Sequence, residues 1–126
     1  MSPNKAHQQY KNTQIETANQ EKLLIMMYNG AIKFAKQAIK GINNNDYELT
    51  NNTLTRTQAI IIELQATLDH KTGGEISENL DALYDYMKRR LAKANVNKDK
   101  EPINEVIEML EELKETWIEA SKKLNN

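Results

Sequence analysis

The sequence predicts an all-α protein, an antiparallel up-down four-helix bundle with an N-terminal arm or short capping helix. Three observations carry that expectation. The 126 residues include only four glycines and two prolines, while Ala, Leu, Ile, Glu, Lys and Asn dominate, a balance that favours helix over sheet. Apolar residues recur at spacings of three and four along four stretches of about 20 residues, joined by short connections, which pack most simply as an up-down bundle. The apolar-polar alternation of strands nowhere lasts more than a few residues.

Residues 1–18 are polar and lack a sustained period, with Tyr10 and Ile15 as isolated apolar anchors. They are expected to form a mobile or loosely docked arm ahead of a single bundle domain spanning 19–126. Thr17-Ala18-Asn19-Gln20 offers a capping-box pattern and Asn19 an equally good N-cap for a first helix over about 19–42. The run Asn43-Asn44-Asn45 ends it, and Asp46 can cap a second helix over about 46–70 that carries Leu54, Ile61, Leu64 and Leu68 on one side. Gly73-Gly74 reads as a turn. A third helix follows over about 75–95, with Ile76, Leu80, Leu83, Tyr84, Met87 and Leu91 on its stripe. After the polar turn 96–100, Pro102 fits the first turn of a fourth helix over about 101–124, where its missing N–H costs little. Val106, Met109, Leu110, Leu113, Trp117, Ala120 and Leu124 mark that helix's buried face.

Composition excludes several function classes. Lys plus Arg number 17 and Asp plus Glu 18, so the net charge of -1 gives no bulk attraction for nucleic acid. The longest apolar run, 23–28, is far short of the roughly 20 residues that insertion into a membrane needs. The first ten residues lack the apolar core of a secretory signal, and the absence of cysteine suits a reducing compartment; together they point to the cytoplasm. A chain of this size buries enough surface to fold without disulfides or a metal.

No catalytic equipment is legible, and neither cofactor nor metal is expected. The two histidines are His7 and His70, and no Glu-x-x-His pair supplies the inward ligands of a di-iron bundle. His70 as a phosphate acceptor is disfavoured by its place beside a turn. Gly73-Gly74 lacks the following Lys-Ser or Lys-Thr of a phosphate loop, and no serine stands beside a base in a nucleophilic pattern. Glu108, Glu111, Glu112 and Glu115 form either a solvated acidic face or an electrostatic contact. Lys88-Arg89-Arg90 and Lys93 are diluted by Asp81 and Asp85, so intrahelical pairs suffice to explain them. Tyr84 falls on the core stripe of the third helix and Tyr86 lies off it.

The first helix is too greasy for its place. At about 100° per residue its apolar side chains sweep roughly 200°, against a little over 100° for a bundle helix. Ile62 on the second helix and Ile107 and Ile118 on the fourth also lie off their stripes. Single exposed aliphatics are ordinary, but a contiguous excess marks a partner site or a surface covered by another segment. The arm is one candidate cover, and an amphipathic partner helix seated in a groove is the other. The expected partner-binding residues are Tyr10, Ile15, Leu23, Met27, Tyr28, Ile62, Ile107 and Ile118. A charge at Ile62 should weaken binding and one at Leu64 should unfold the bundle.

Several segments in this order resemble the FliS-type flagellar export chaperones. They are Tyr10, Ile15-Glu16-Thr17-Ala18, Lys22-Leu23-Leu24-Ile25-Met26-Met27-Tyr28-Asn29-Gly30-Ala31, Asn45-Asp46, Ile61-Ile62-Glu63-Leu64, Leu68-Asp69, Gly73-Gly74-Glu75-Ile76-Ser77-Glu78-Asn79-Leu80-Asp81-Ala82-Leu83-Tyr84-Asp85-Tyr86-Met87, Ala94-Asn95 and Leu113-Lys114-Glu115-Thr116-Trp117. Met27 and Asn29 depart mildly, standing where the family more often has leucine and aspartate. The resemblance implies the same bundle and a flagellin-binding function. The ligand would be the disordered C-terminal segment of flagellin, folding as it wraps the chaperone, kept from premature polymerisation and passed to flagellar type III secretion. The arm would shift when flagellin arrives, and the export gate and other flagellar regulators are further candidate partners. A helical adaptor that self-associates through its apolar face is the alternative, so the expected state is a monomer or weak homodimer.

Overall fold

A computed structural model describes the backbone of residues 3–124; the side chains of residues 3, 4, 7, 10–18 and 124 lie outside the described set. Four helices follow one another: α1 (Pro3–Asn43), α2 (Tyr47–Ala66), α3 (His70–Asn97) and α4 (Lys100–Leu124). No strand occurs among the described residues. Each helix packs on its neighbours in sequence and α1 packs on α4, which closes an antiparallel ring with α1 facing α3 and α2 facing α4 across the diagonals.

The first helix begins much earlier than its expected N-cap at Asn19. No glycine or proline interrupts residues 4–29, so nothing in the sequence stops the helix, and Asn19 lies inside it. Tyr10 and Ile15 have side chains outside the described residues.

The α1–α2 joint is a tight left-handed turn. Asn45 adopts φ 56°, and the Asp46 N–H reaches back to the Gly41 carbonyl at 2.7 Å. A Cβ at Gly41 would stand 2.4 Å from Thr50 Oγ1 and 2.8 Å from the Asp46 carbonyl oxygen, so only glycine lets the chain double back this closely. Asp46 then caps α2 by accepting from the Leu49 N–H at 3.1 Å, as its sequence position suggested. At α3–α4, Lys98 takes φ 50° and Asp99 N–H donates to the Ala94 carbonyl.

The α2–α3 corner falls earlier than the glycine pair indicated. α2 ends at Ala66, and Asp69 caps α3 by accepting from the N–H groups of Lys71 and Thr72. Gly74, at φ 52°, kinks the start of α3 instead of separating two helices.

Tyr28, Leu54, Ile61, Leu64, Tyr84, Met87, Leu91, Ile103, Val106 and Leu110 fill the core, with the alanines Ala31, Ala35, Ala38 and Ala94 letting helices approach. α2 contributes three buried threonines as well. Their hydroxyls donate to carbonyls one turn back, Thr50 to Asp46, Thr53 to Leu49 and Thr57 to Thr53, and Thr50 also reaches the Ala38 carbonyl of α1.

Candidate functional site

α2 has 20 residues and α1 has 41, so the pair runs about 30 Å beside about 60 Å at 1.5 Å per residue. Past the end of α2, the inner face of α1 meets the α2–α3 corner, the first turns of α3 and the last turns of α4. A cleft of about 640 Å³ opens there. Leu23, Leu24 and Met27 come from α1, Leu68 from the corner, Ile76 and Leu80 from α3, and Trp117 and Ala120 from α4. Leu23 is 57% exposed and Ile76 70% exposed, and neighbouring Met26 is exposed as well. Large apolar side chains gathered at the mouth of a cleft suit an apolar partner surface.

At the corner side of the rim, Thr67, Asp69, Thr72 and Ser77 are engaged in local hydrogen bonds. Asp69 is an acceptor for the Thr72 hydroxyl at 2.6 Å and for two helix amides, which hold its carboxyl below the usual carboxylate range. Beneath the cleft, the Trp117 indole N–H donates to the Tyr28 hydroxyl at 3.0 Å, and that hydroxyl is also bonded to the Tyr84 hydroxyl. Burial pushes both tyrosines above the ordinary phenol value, so both stay protonated at neutral pH. No group of three metal-ligating side chains occurs among the described residues. His70 is exposed at the first residue of α3.

The structure gathers two of the eight expected residues, Leu23 and Met27, at the cleft. Tyr28 and Ile107 belong to the core instead, and the expectation that they flank a groove is corrected. Tyr28 tolerates burial because its hydroxyl has partners on α3 and α4; Ile107, 7% exposed, shares the broad inner face of α4 with Ile103, Val106 and Leu110. Ile62 is 53% exposed on α2 and Ile118 is half-buried on α4, but neither lines the cleft. Tyr10 and Ile15 lie outside the described side chains.

Ile76, Leu80, Leu68 and Trp117 were expected in buried stripes, and they keep those faces. What local spacing does not show is that the stripe runs out of cover near the corner. The nearest sequence signal is the short span between the second helix's last apolar residue and the glycine pair. Two of the four basic residues clustered on α3 are paired, Lys88 with Asp85 and Arg90 with Glu105, and Tyr86 donates to Glu105 at 2.6 Å on the surface.

The model of the family described as "Flagellar protein FliS" matches residues 3–124. The chain is 37% identical to the flagellar secretion chaperone FliS of Bacillus subtilis (strain 168) over 111 residues, covering 88% of this chain and 82% of that protein. It is 37% identical to the protein of the same name from Campylobacter jejuni subsp. jejuni over 120 residues, covering 95% and 94%. The corresponding Salmonella typhimurium protein is 36% identical over 110 residues, covering 86% and 82%. Matched along nearly its whole length by the family and by relatives from distant bacteria, the chain belongs to the FliS family of flagellar proteins.

Proposed function

We propose that this chain is a flagellin-binding export chaperone without enzymatic turnover. Its apolar cleft takes the C-terminal helical segment of flagellin, covers it against premature polymerisation in the cytosol, and releases it to flagellar type III secretion. One observation supports this above the rest: Leu23 of α1 and Ile76 of α3 stand exposed at an apolar cleft near the end of the bundle. Covering each such side chain contributes roughly 1.5–3 kcal/mol, so a few anchors spaced along a helix suffice for useful affinity. The relatives carry the name of a secretion chaperone, in keeping with a binding role. No helix among the described residues is long and apolar enough to cross a membrane.

A flagellin segment that is disordered when free can fold against the cleft and bury a large surface in doing so. The segment 1–18, with Tyr10 and Ile15, shifts as the ligand arrives. Docking to the export gate or to other flagellar regulators would use surfaces left free by the bound segment. The test is calorimetric titration of the C-terminal segment of flagellin from the same cell, with flagellin lacking that segment as control. Binding of the segment but not of the truncated protein is expected, and equal behaviour of the two would overturn the proposal. Light scattering on the free chain separates the alternative of a self-associating adaptor, which requires a stable homodimer that loses its partner when Leu23 is made polar. Hydrogen exchange over 1–18, with and without the segment, should change on binding.

A further inference from the structure

The wall of the cleft is not built from apolar side chains alone. Trp117, half-buried, lines the cleft, and its indole N–H is anchored on the Tyr28 hydroxyl at 3.0 Å. Tyr28 itself is fully buried at the centre of the bundle, where its hydroxyl also meets Tyr84 from the diagonally opposite helix. These three side chains tie α1, α3 and α4 together, and no buried side-chain polar atom among the described residues is left without a partner. Tyr84 has no place in the cleft lining.

An indole has a flat apolar face and a single donor, so fixing the donor fixes the face. With its N–H turned inward to Tyr28, Trp117 must present ring carbon to the cleft. Without that acceptor the N–H would be stranded in an apolar surrounding, and the ring would turn until the donor reached water through the open mouth. The geometry points to Tyr28 as a positioning residue: its hydroxyl holds Trp117 so that the cleft offers an aromatic face to an apolar side chain of the bound helix. This rests on the flagellin-binding reading above. A preset wall means that binding need not first order the Trp117 ring, which is how preorganisation raises affinity.

Two single-atom changes separate positioning from structure. Tyr28→Phe removes the acceptor of Trp117, whereas Tyr84→Phe removes a neighbouring buried hydroxyl and leaves the Trp117–Tyr28 bond in place. Both should lower the denaturation midpoint, Tyr28→Phe the more because its hydroxyl has two partners. Only Tyr28→Phe should weaken binding of the flagellin C-terminal segment, by roughly tenfold. Because Trp117 is the one tryptophan of the chain, its fluorescence reports this site alone. In the free protein the emission of Tyr28→Phe should move to longer wavelength as the ring turns outward, and that of Tyr84→Phe should stay in place. Wild-type protein that binds the segment, together with two variants that bind it equally well or lose affinity equally, would overturn the positioning role. Wild-type protein that does not bind the segment at all, while the fluorescence difference persists, would instead overturn the flagellin reading and leave the anchoring of Trp117 standing.

Discussion

Ala94 and Ile76 stand on the same face of α3, eighteen residues or about five turns apart, yet Ala94 is fully buried and Ile76 is 70% exposed. The helix is the same and the angle is the same; the difference lies in what the other helices do at each height. Around Ala94 the chain turns back twice in tight left-handed joints, and Lys100 reaches Asn43 at 2.8 Å to draw α4 against the end of α1. Around Ile76, α2 has already ended, and a corner stands where a fourth helix wall would be. A bundle made of unequal helices is thus sealed at one end and open at the other. The exposed apolar cleft lies where helix lengths fail to match.

Substitutions graded from the sealed core to the open rim test that contrast, from the largest effect on stability to the smallest. Leu64→Asp places an unpaired carboxylate in the core and should abolish the cooperative unfolding transition, since the cost of several kcal/mol rivals the whole stability of a small domain. A cooperative transition in circular dichroism would show that this level of the bundle is not sealed. Gly41→Ala should cost about 1–3 kcal/mol, because the added Cβ meets the Thr50 side chain and backbone atoms that cannot yield, outweighing alanine's better helix propensity. Urea unfolding decides this, and a variant as stable as the parent would contradict the tight joint.

Alkaline pH probes the polar trio between the two ends. Tyr28 and Tyr84 have folded values raised above the ordinary 10.0, so the folded state holds their protons more tightly than the unfolded chain does. Their contribution is fully present below about pH 10 and is lost progressively above it. The urea midpoint should therefore fall between about pH 9 and about pH 11, and the fall should shrink in a variant with phenylalanine at both positions. At the open end, Leu23→Asp and Ile76→Asp should each change stability by no more than about 0.5 kcal/mol while removing most of the affinity for the flagellin segment. Ile62→Asp, exposed but off the cleft, should leave stability alike and weaken binding less than Leu23→Asp does. An equal loss would mean that the bound segment extends around α2.

The helices were legible because their stripes are regular, and Asp46 and Pro102 marked helix starts that the structure keeps. The excess apolar width of the first helix was also legible. Its allocation was not. Tyr28 looked like a surface aromatic because its hydrogen-bond partners lie 56 and 89 positions away, beyond any local pattern. Ile76 looked like core because periodicity reports the angle around a helix and says nothing of whether a neighbour reaches that height. Asp69 was hidden as a cap by the louder signal of the glycine pair just after it.

The threonines of α2 have a consequence for the newly made chain. Their hydroxyls fold back onto carbonyls of their own helix only once that helix exists; before then they face water and keep the stretch wettable. A face that becomes dry on folding is therefore little inclined to cling to strangers beforehand, in line with the chain's mean hydropathy of -0.76. For a protein whose proposed trade is shielding another's sticky ends, that leaves its own nascent chain in small need of a shield.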